Sequence, residues 1–178
     1  VRDTRAKVLF GPRLPAPVAG LDNLSLDYIR DCQLKDPDLK HVYNWVSDDD
    51  KPEWEVIKMM SPAIRDYVSQ FDSLLMSKGV LCRIFCCKDK DDFLQIVLPL
   101  AIRTQFLHSM HSDLAGHLGM EKSMSQVSRK AYWFRWKRDL NLFIQACPKC
   151  TAFHRGAPPK QGQLQSTLVG DVCDKIAI

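Results

Sequence analysis

His111-Ser-Asp-Leu-Ala-Gly-His117 and, after 29 intervening residues, Cys147-Pro-Lys-Cys150 are the stretches whose reading decides the fold of this 178-residue chain. Two imidazoles separated by five residues and two thiols separated by two can converge as a His2Cys2 tetrahedron, the closed ligand set typical of structural zinc. A Cys-x-x-Cys turn presents both sulfurs to one ion. The 29 residues between the pairs must therefore fold back on themselves.

Their spacing predicts two helices. After Gly116 and Gly119, Met120, Met124, Val127 and Ala131 stripe one helical face, with Glu121, Lys122, Gln126 and Arg129 on the others. Trp136, Leu140, Phe143, Ile144 and Cys147 form a second stripe that runs directly into the thiol pair. A bundle this short has a small core. Coordination worth about 10 to 16 kcal/mol in zinc-finger peptides would then decide whether it folds, and the metal-free form is expected to be largely molten.

Leu107-His-Ser-Met-His111, Ala115-Gly-His117-Leu-Gly119, Lys122-Ser, Tyr132-Trp133, Asp139-Leu and Cys147-Pro-Lys-Cys150 together resemble the HHCC zinc-binding domain of integrases encoded by gypsy-class retrotransposons and, more distantly, retroviruses. The resemblance implies His111, His117, Cys147 and Cys150 as ligands of one structural Zn2+. Two departures stand out. The family often carries Pro-Gly after Tyr-Trp, where this chain has Phe134-Arg135. His108, one helical turn before His111, is a competing ligand.

Composition sets the wider frame. Hydrophobic residues make up 46% of the chain, which argues for folded material. Seven cysteines, an odd count with no signal peptide ahead of them, do not read as a secreted disulfide framework, so a reducing intracellular compartment, nuclear or cytoplasmic, is expected. No apolar run approaches the roughly 18 to 20 residues a bilayer requires, and no membrane partner is expected. Net charge is only +4, but residues 100–160 carry 10 Lys and Arg against 3 Asp and Glu, whereas residues 1–99 carry 14 against 16. The excess sits on the zinc module, where a nucleic-acid footprint would lie.

Along the chain, Pro12, Pro15 and Pro17 with Gly11 and Gly20 mark residues 1–20 as a linker or tail. Ser25 caps a predicted helix through Leu34, Pro37 interrupts it, and Leu39, Val42, Tyr43 and Val46 resume at helical spacing. Ser61-Pro62 opens a further helix whose stripe runs through Ile64, Tyr67, Val68, Phe71, Leu74 and Leu75 to a stop at Gly79. Val80–Phe85 and Phe93–Leu98 read as a hairpin-like unit, and a helix from Leu100 to about Met110 delivers His111. The fold class expected is α+β, mainly helical. A zinc-stabilised, helix-turn-helix-like HHCC bundle at 100–156 follows an extension of helices and a β-hairpin at 21–99, and 157–178 forms a linker.

This layout is similar to the region joining reverse transcriptase and RNase H to integrase in a gypsy-class Pol polyprotein. Asp36-Pro-Asp38-Leu39, Lys78-Gly-Val-Leu81 and Val97-Leu-Pro99 are the shared pieces. The resemblance implies that Asp174-Lys-Ile-Ala-Ile178 leads into a catalytic core whose carboxylates and divalent metals perform strand transfer. The chain alone is expected not to be an enzyme. DNA at the element's ends and other integrase subunits, in a homo-oligomer, are the implied partners.

Arg129, Lys130, Arg135, Lys137 and Arg138 cluster around the turn between the two bundle helices, where they would meet phosphates without reading sequence, or serve solubility or subunit docking. Tyr132, Trp133 and Trp136 could stack on bases, but their spacing beside the metal favours a core role. His41 and His154 read as surface residues, and Cys82, Cys86 and Cys87 as small buried or half-buried ones. Cys32 and Cys173 carry no signal. A nucleobase deaminase needs Glu two residues after its His and Pro before its first thiol; here Gly119, Asp113 and Ala146 hold those positions. The remaining alternative is a host-adopted or degenerate remnant acting as a zinc-dependent protein-interaction module.

Overall fold

A computed structural model describes residues 25–86, 92–113 and 116–153. Helix α1, Leu26–Lys35, begins where expected: the Ser25 hydroxyl accepts the Tyr28 N–H at 3.1 Å. Asp36 and Pro37 end it, and α2 follows at Leu39–Ser47. A short α3, Trp54–Ile57, precedes α4, Pro62–Ser69, which has Ser61 as its cap and proline at its first position.

The stripe continuing through Leu74 and Leu75 is not helical. Helix α4 stops at Ser69, a 3-10 turn covers Phe71–Ser73, and Leu74–Ser77 is strand β1. It pairs antiparallel with β2, Val80–Phe85, in the register Ser77 opposite Val80. Lys78 and Gly79 form the two-residue turn between them, both at positive φ (49° and 75°), the backbone that a tight hairpin requires. Gly79 therefore turns a hairpin rather than ending a helix. Pairing to a buried partner overrides the local helical spacing.

Strand β3, Phe93–Val97, pairs antiparallel with β2, completing the expected hairpin. Helix α5, Leu100–His108, continues into a π-helical turn at Ser109–Asp113. Helix α6 spans Met120–Ser128 and α7 Trp136–Ala146, while α8, Pro148–Phe153, holds the second thiol. Ala131, expected on the α6 stripe, instead begins β4, Ala131–Tyr132, which runs parallel to β3. The Ile96 and Leu98 N–H groups donate to the Lys130 and Tyr132 carbonyls at 3.0 and 2.9 Å.

The sheet order β1-β2-β3-β4 thus carries the segment between the two bundle helices as its fourth strand. Alternation along the strands gives it two apolar faces. Val80, Cys82, Ile84, Leu94 and Ile96 join Ile29, Ile102, Phe106, Val127, Trp133, Leu140 and Ile144 in one core, which also takes in Cys150. Leu74, Leu81, Val97 and Tyr132 face a second core with Leu39, Val42 and Tyr67.

Two buried polar side chains fasten α1 to this frame. Gln33 donates to the Leu81 and Val97 carbonyls (3.0 and 2.6 Å) and accepts the Leu81 N–H at 2.9 Å, bridging β2 and β3. Asp36 accepts the Asp38 and Leu39 N–H groups through Oδ1 and the Leu100 N–H, at 2.8 Å, through Oδ2. One carboxylate therefore satisfies orphan donors at the start of both α2 and α5. Among the described residues, no helix is long and apolar enough to cross a membrane.

Candidate metal centre

Helix α5 is anchored to the sheet through Ile102, Phe106 and Leu107, with the Phe106 ring edge-on to Trp133 at 6.2 Å. Its last residues widen into the π-helical turn, a distortion that often marks functional positions. That turn contains Met110 and His111, both buried. The chain then reverses. Gly116 and His117 both adopt left-handed backbone (φ 56° and 61°), and the His117 N–H donates to the His111 carbonyl at 2.8 Å. Histidine tolerates this region better than most residues, and a non-glycine residue held there signals a local constraint.

On the opposite side, Cys147 caps α7, its N–H donating to Ile144 at 3.1 Å. Pro148 starts α8, and the Thr151 backbone N–H and hydroxyl both donate to the Cys147 carbonyl at 2.9 Å. One helical turn separates the two sulfurs, so both face the histidines.

His111 Nε2, His117 Nδ1 and the two Sγ atoms all lie within 4.8 Å of one another. Zinc bonds of about 2.05 Å to nitrogen and about 2.3 Å to sulfur give tetrahedral edges of about 3.3 Å between nitrogens and about 3.6 Å between nitrogen and sulfur. The nitrogens are 3.3 Å apart, Cys147 Sγ is 3.4 Å from His117 Nδ1, and Cys150 Sγ is 3.2 Å from His111 Nε2. The Cys150 to His117 edge is longer, at 4.0 Å. The donor set and its spacing fit one tetrahedral ion with no position left for a substrate.

Protonation favours the same use. Burial, reinforced by the neighbouring His117 and His108, lowers the His111 pKa and keeps its ring in the neutral form a metal binds. The Cys150 N–H holds the Cys147 thiol below its ordinary value, whereas burial and the adjacent Cys147 raise that of Cys150. The site thus presents one thiol whose ionisation is eased and a second whose ionisation is opposed, which coordination would deprotonate.

His111 Nδ1 is buried without a hydrogen-bond partner among the described residues, so its ring is oriented by packing rather than by the usual polar support. Phe143 supplies that packing, edge-on at 5.8 Å. The competing residue, His108, is exposed and stands outside the four-residue cluster.

Trp133 is fully buried, its Nε1–H donating to Asp139 at 2.8 Å. Tyr132 donates to Asp66 at 2.6 Å and lies under the Arg83 guanidinium at 4.2 Å. Trp136 is half-buried. Arg129, Arg135, Lys137 and Arg138 are exposed and Lys130 half-buried. Arg135 adopts left-handed backbone (φ 61°) at the position where the resembled family often carries glycine. Cys82 is fully buried, but Cys86 is exposed rather than half-buried because it lies just past the end of β2. His41 is exposed; His154, Cys87 and Cys173 lie outside the described residues.

Gln33 and Asp36 are the positioning residues that pattern reading missed. Gln33 reaches partners 48 and 64 positions away and Asp36 reaches Leu100 64 positions away, and nothing local signals those pairings.

A closed His2Cys2 centre at the junction of a helical bundle and a sheet defines a structural metal site. Residues 98–155 match the family model of the integrase zinc binding domain, and all four ligand candidates fall inside the match. That domain binds zinc, and these side chains form a plausible site for one such ion. Comparisons with curated proteins and with solved structures return no match.

Proposed function

We propose that this chain is the zinc-organised N-terminal region of a retrotransposon integrase of the gypsy class, encoded within a Pol polyprotein. It supports DNA binding and enzyme assembly for integration, inside the cell and as part of a homo-oligomer. The observation that carries this reading is the coincidence of the converged His111, His117, Cys147 and Cys150 side chains with the matched segment 98–155.

In this reading residues 100–156 are the zinc module, 21–99 the extension that backs it, and 157–178 the link to a catalytic core. The chemistry of strand transfer belongs to carboxylates and divalent metal in that core, and the present chain contributes binding and placement. The ion fixes the π-helical turn at Ser109–Asp113 and the backbone at His117 against α8. Arg129, Lys130, Arg135, Lys137 and Arg138 meet phosphates of the element's ends, and the excess of cations over carboxylates across 100–160 supports that role.

The test pairs elemental analysis with DNA titration at graded salt. One zinc per chain is expected, lost in Cys147→Ser and His117→Ala and kept in His108→Ala. Affinity for duplex DNA should fall with salt, and removing one exposed cation should reduce the slope of log K against log[salt] by about 1. Absence of bound metal would remove the reading's footing. Stable binding to a host protein without DNA binding would replace it with the protein-interaction module.

A further inference from the structure

Helix α7 buries one side and leaves the other in solvent. Leu140 and Ile144 are buried, while Arg138, Asn141, Leu142 and Gln145 are exposed, Leu142 to 52%. These four fall at spacings of three, four and seven from Arg138, which gathers them on a single face. The side chains of Arg138, Asn141 and Gln145 form no hydrogen bond or ion pair among the described residues.

The face is free of carboxylates. Asp139, the one acidic residue of α7, is held inward by the Trp133 indole. Cations stand at both ends, Arg135 and Lys137 before it and Lys149 after it, all exposed. Charge complementarity therefore points to a polyanion. The functional groups between those cations are of a different kind.

Asparagine and glutamine match the paired donor and acceptor of adenine in the major groove, arginine matches guanine, and an exposed apolar side chain suits the thymine methyl. From Arg138 to Gln145 the axial span is about 10 Å, close to three base-pair steps of about 3.4 Å. An α-helix fits that groove, and contacts spaced one turn apart along it can reach successive bases.

We propose that the outward face of α7 reads base edges in the major groove of duplex DNA through Arg138, Asn141, Leu142 and Gln145. This deepens, and rests on, the nucleic-acid reading above: Arg129, Arg135 and Lys137 hold phosphates, while Arg138 turns from phosphate to base. The chain then prefers certain sequences among the duplexes it binds.

Selection of the zinc-loaded full chain on a duplex library randomised over eight base pairs tests this, followed by competition titrations on the enriched sequence. A motif of three or four base pairs is expected. Single base-pair changes within it should weaken binding roughly 5- to 100-fold. Asn141→Ala and Gln145→Ala should each flatten the preference at one position, whereas Arg135→Ala should weaken all sequences alike, with one zinc per chain kept throughout. Binding without an enriched motif, or a preference unchanged in both amide variants, would overturn the base-reading role and leave the phosphate-binding reading standing. No binding to any duplex would overturn both.

Discussion

The sheet end and the metal end of this molecule are held together by different chemistry. At the sheet end, Gln33 closes three buried hydrogen bonds and Asp36 three that are buried or half-buried, between cores lined by Tyr67, Phe106, Leu39 and Leu81. At the metal end, Cys150 is the only buried residue among the described side chains of α8, and it faces His111 across 3.2 Å. Apolar burial scales with area, so the sheet end is stable through many small contributions. The metal end concentrates its cohesion in four atoms. Coordination is thus local in effect, fixing the outer part of α8 on which little else is buried, while α5 and α7 keep apolar partners in the core shared with the sheet.

The sharpest way to break this contrast is Cys150→Ser or His111→Ala. Bound zinc should fall from one per chain to none, with loss of up to about 10 kcal/mol of coordination. Amide-exchange protection should collapse around 109–113, at His117 and around 147–153, and persist in β1–β3. Equal loss everywhere would show that the ion holds the whole fold.

Gln33→Leu tests the other end. It leaves the Leu81 N–H and two carbonyls without that partner, and denaturant titration should show about 2 to 4 kcal/mol of destabilisation with zinc content unchanged. Asp36→Ala removes caps from α2 and α5 and should cost about 1 to 2 kcal/mol by the same measurement. If it also releases the metal, the two ends are coupled more tightly than their separate chemistries suggest. At the smallest scale, Arg135→Gly should relieve left-handed backbone and raise stability by about 1 kcal/mol or less.

Thiol reactivity sharpens the contrast without mutation. Burial pushes the Cys82 pKa up to about 12, so at pH 8 site-resolved alkylation of native protein should spare it and label exposed Cys86. Labelling of Cys82 at the Cys86 rate would mean that the sheet opens freely.

A His2Cys2 cluster was legible because Cys-x-x-Cys and paired histidines have a spacing that suits one ion, while the choice of His111 over His108 rested on the family resemblance. Caps were legible for a similar reason: Ser25 and Ser61-Pro62 act on residues three or four positions away. What escaped reading depends on distant partners. Leu74–Ser77 has the spacing of a helix and becomes a strand because β2 stands beside it, and Ala131–Tyr132 is a strand only because β3 supplies the ladder. The expectation of a molten metal-free bundle rested on a small isolated core; Val127, Leu140 and Ile144 share their core with β2 and β3, a support that local spacing does not reveal.

The parallel pairing of β3 with β4 means that the boundary drawn by sequence similarity at Leu98 is not a place to cut the polypeptide. A fragment starting there would strand Ala131–Tyr132 without a ladder, uncover the apolar side chains that β2 and β3 normally shelter, and begin α5 without the Asp36 carboxylate. Such a piece would be prone to self-association however well its ion were bound. Heredity and mechanical separability follow different borders in this chain, and any attempt to transplant the zinc unit must carry its sheet along.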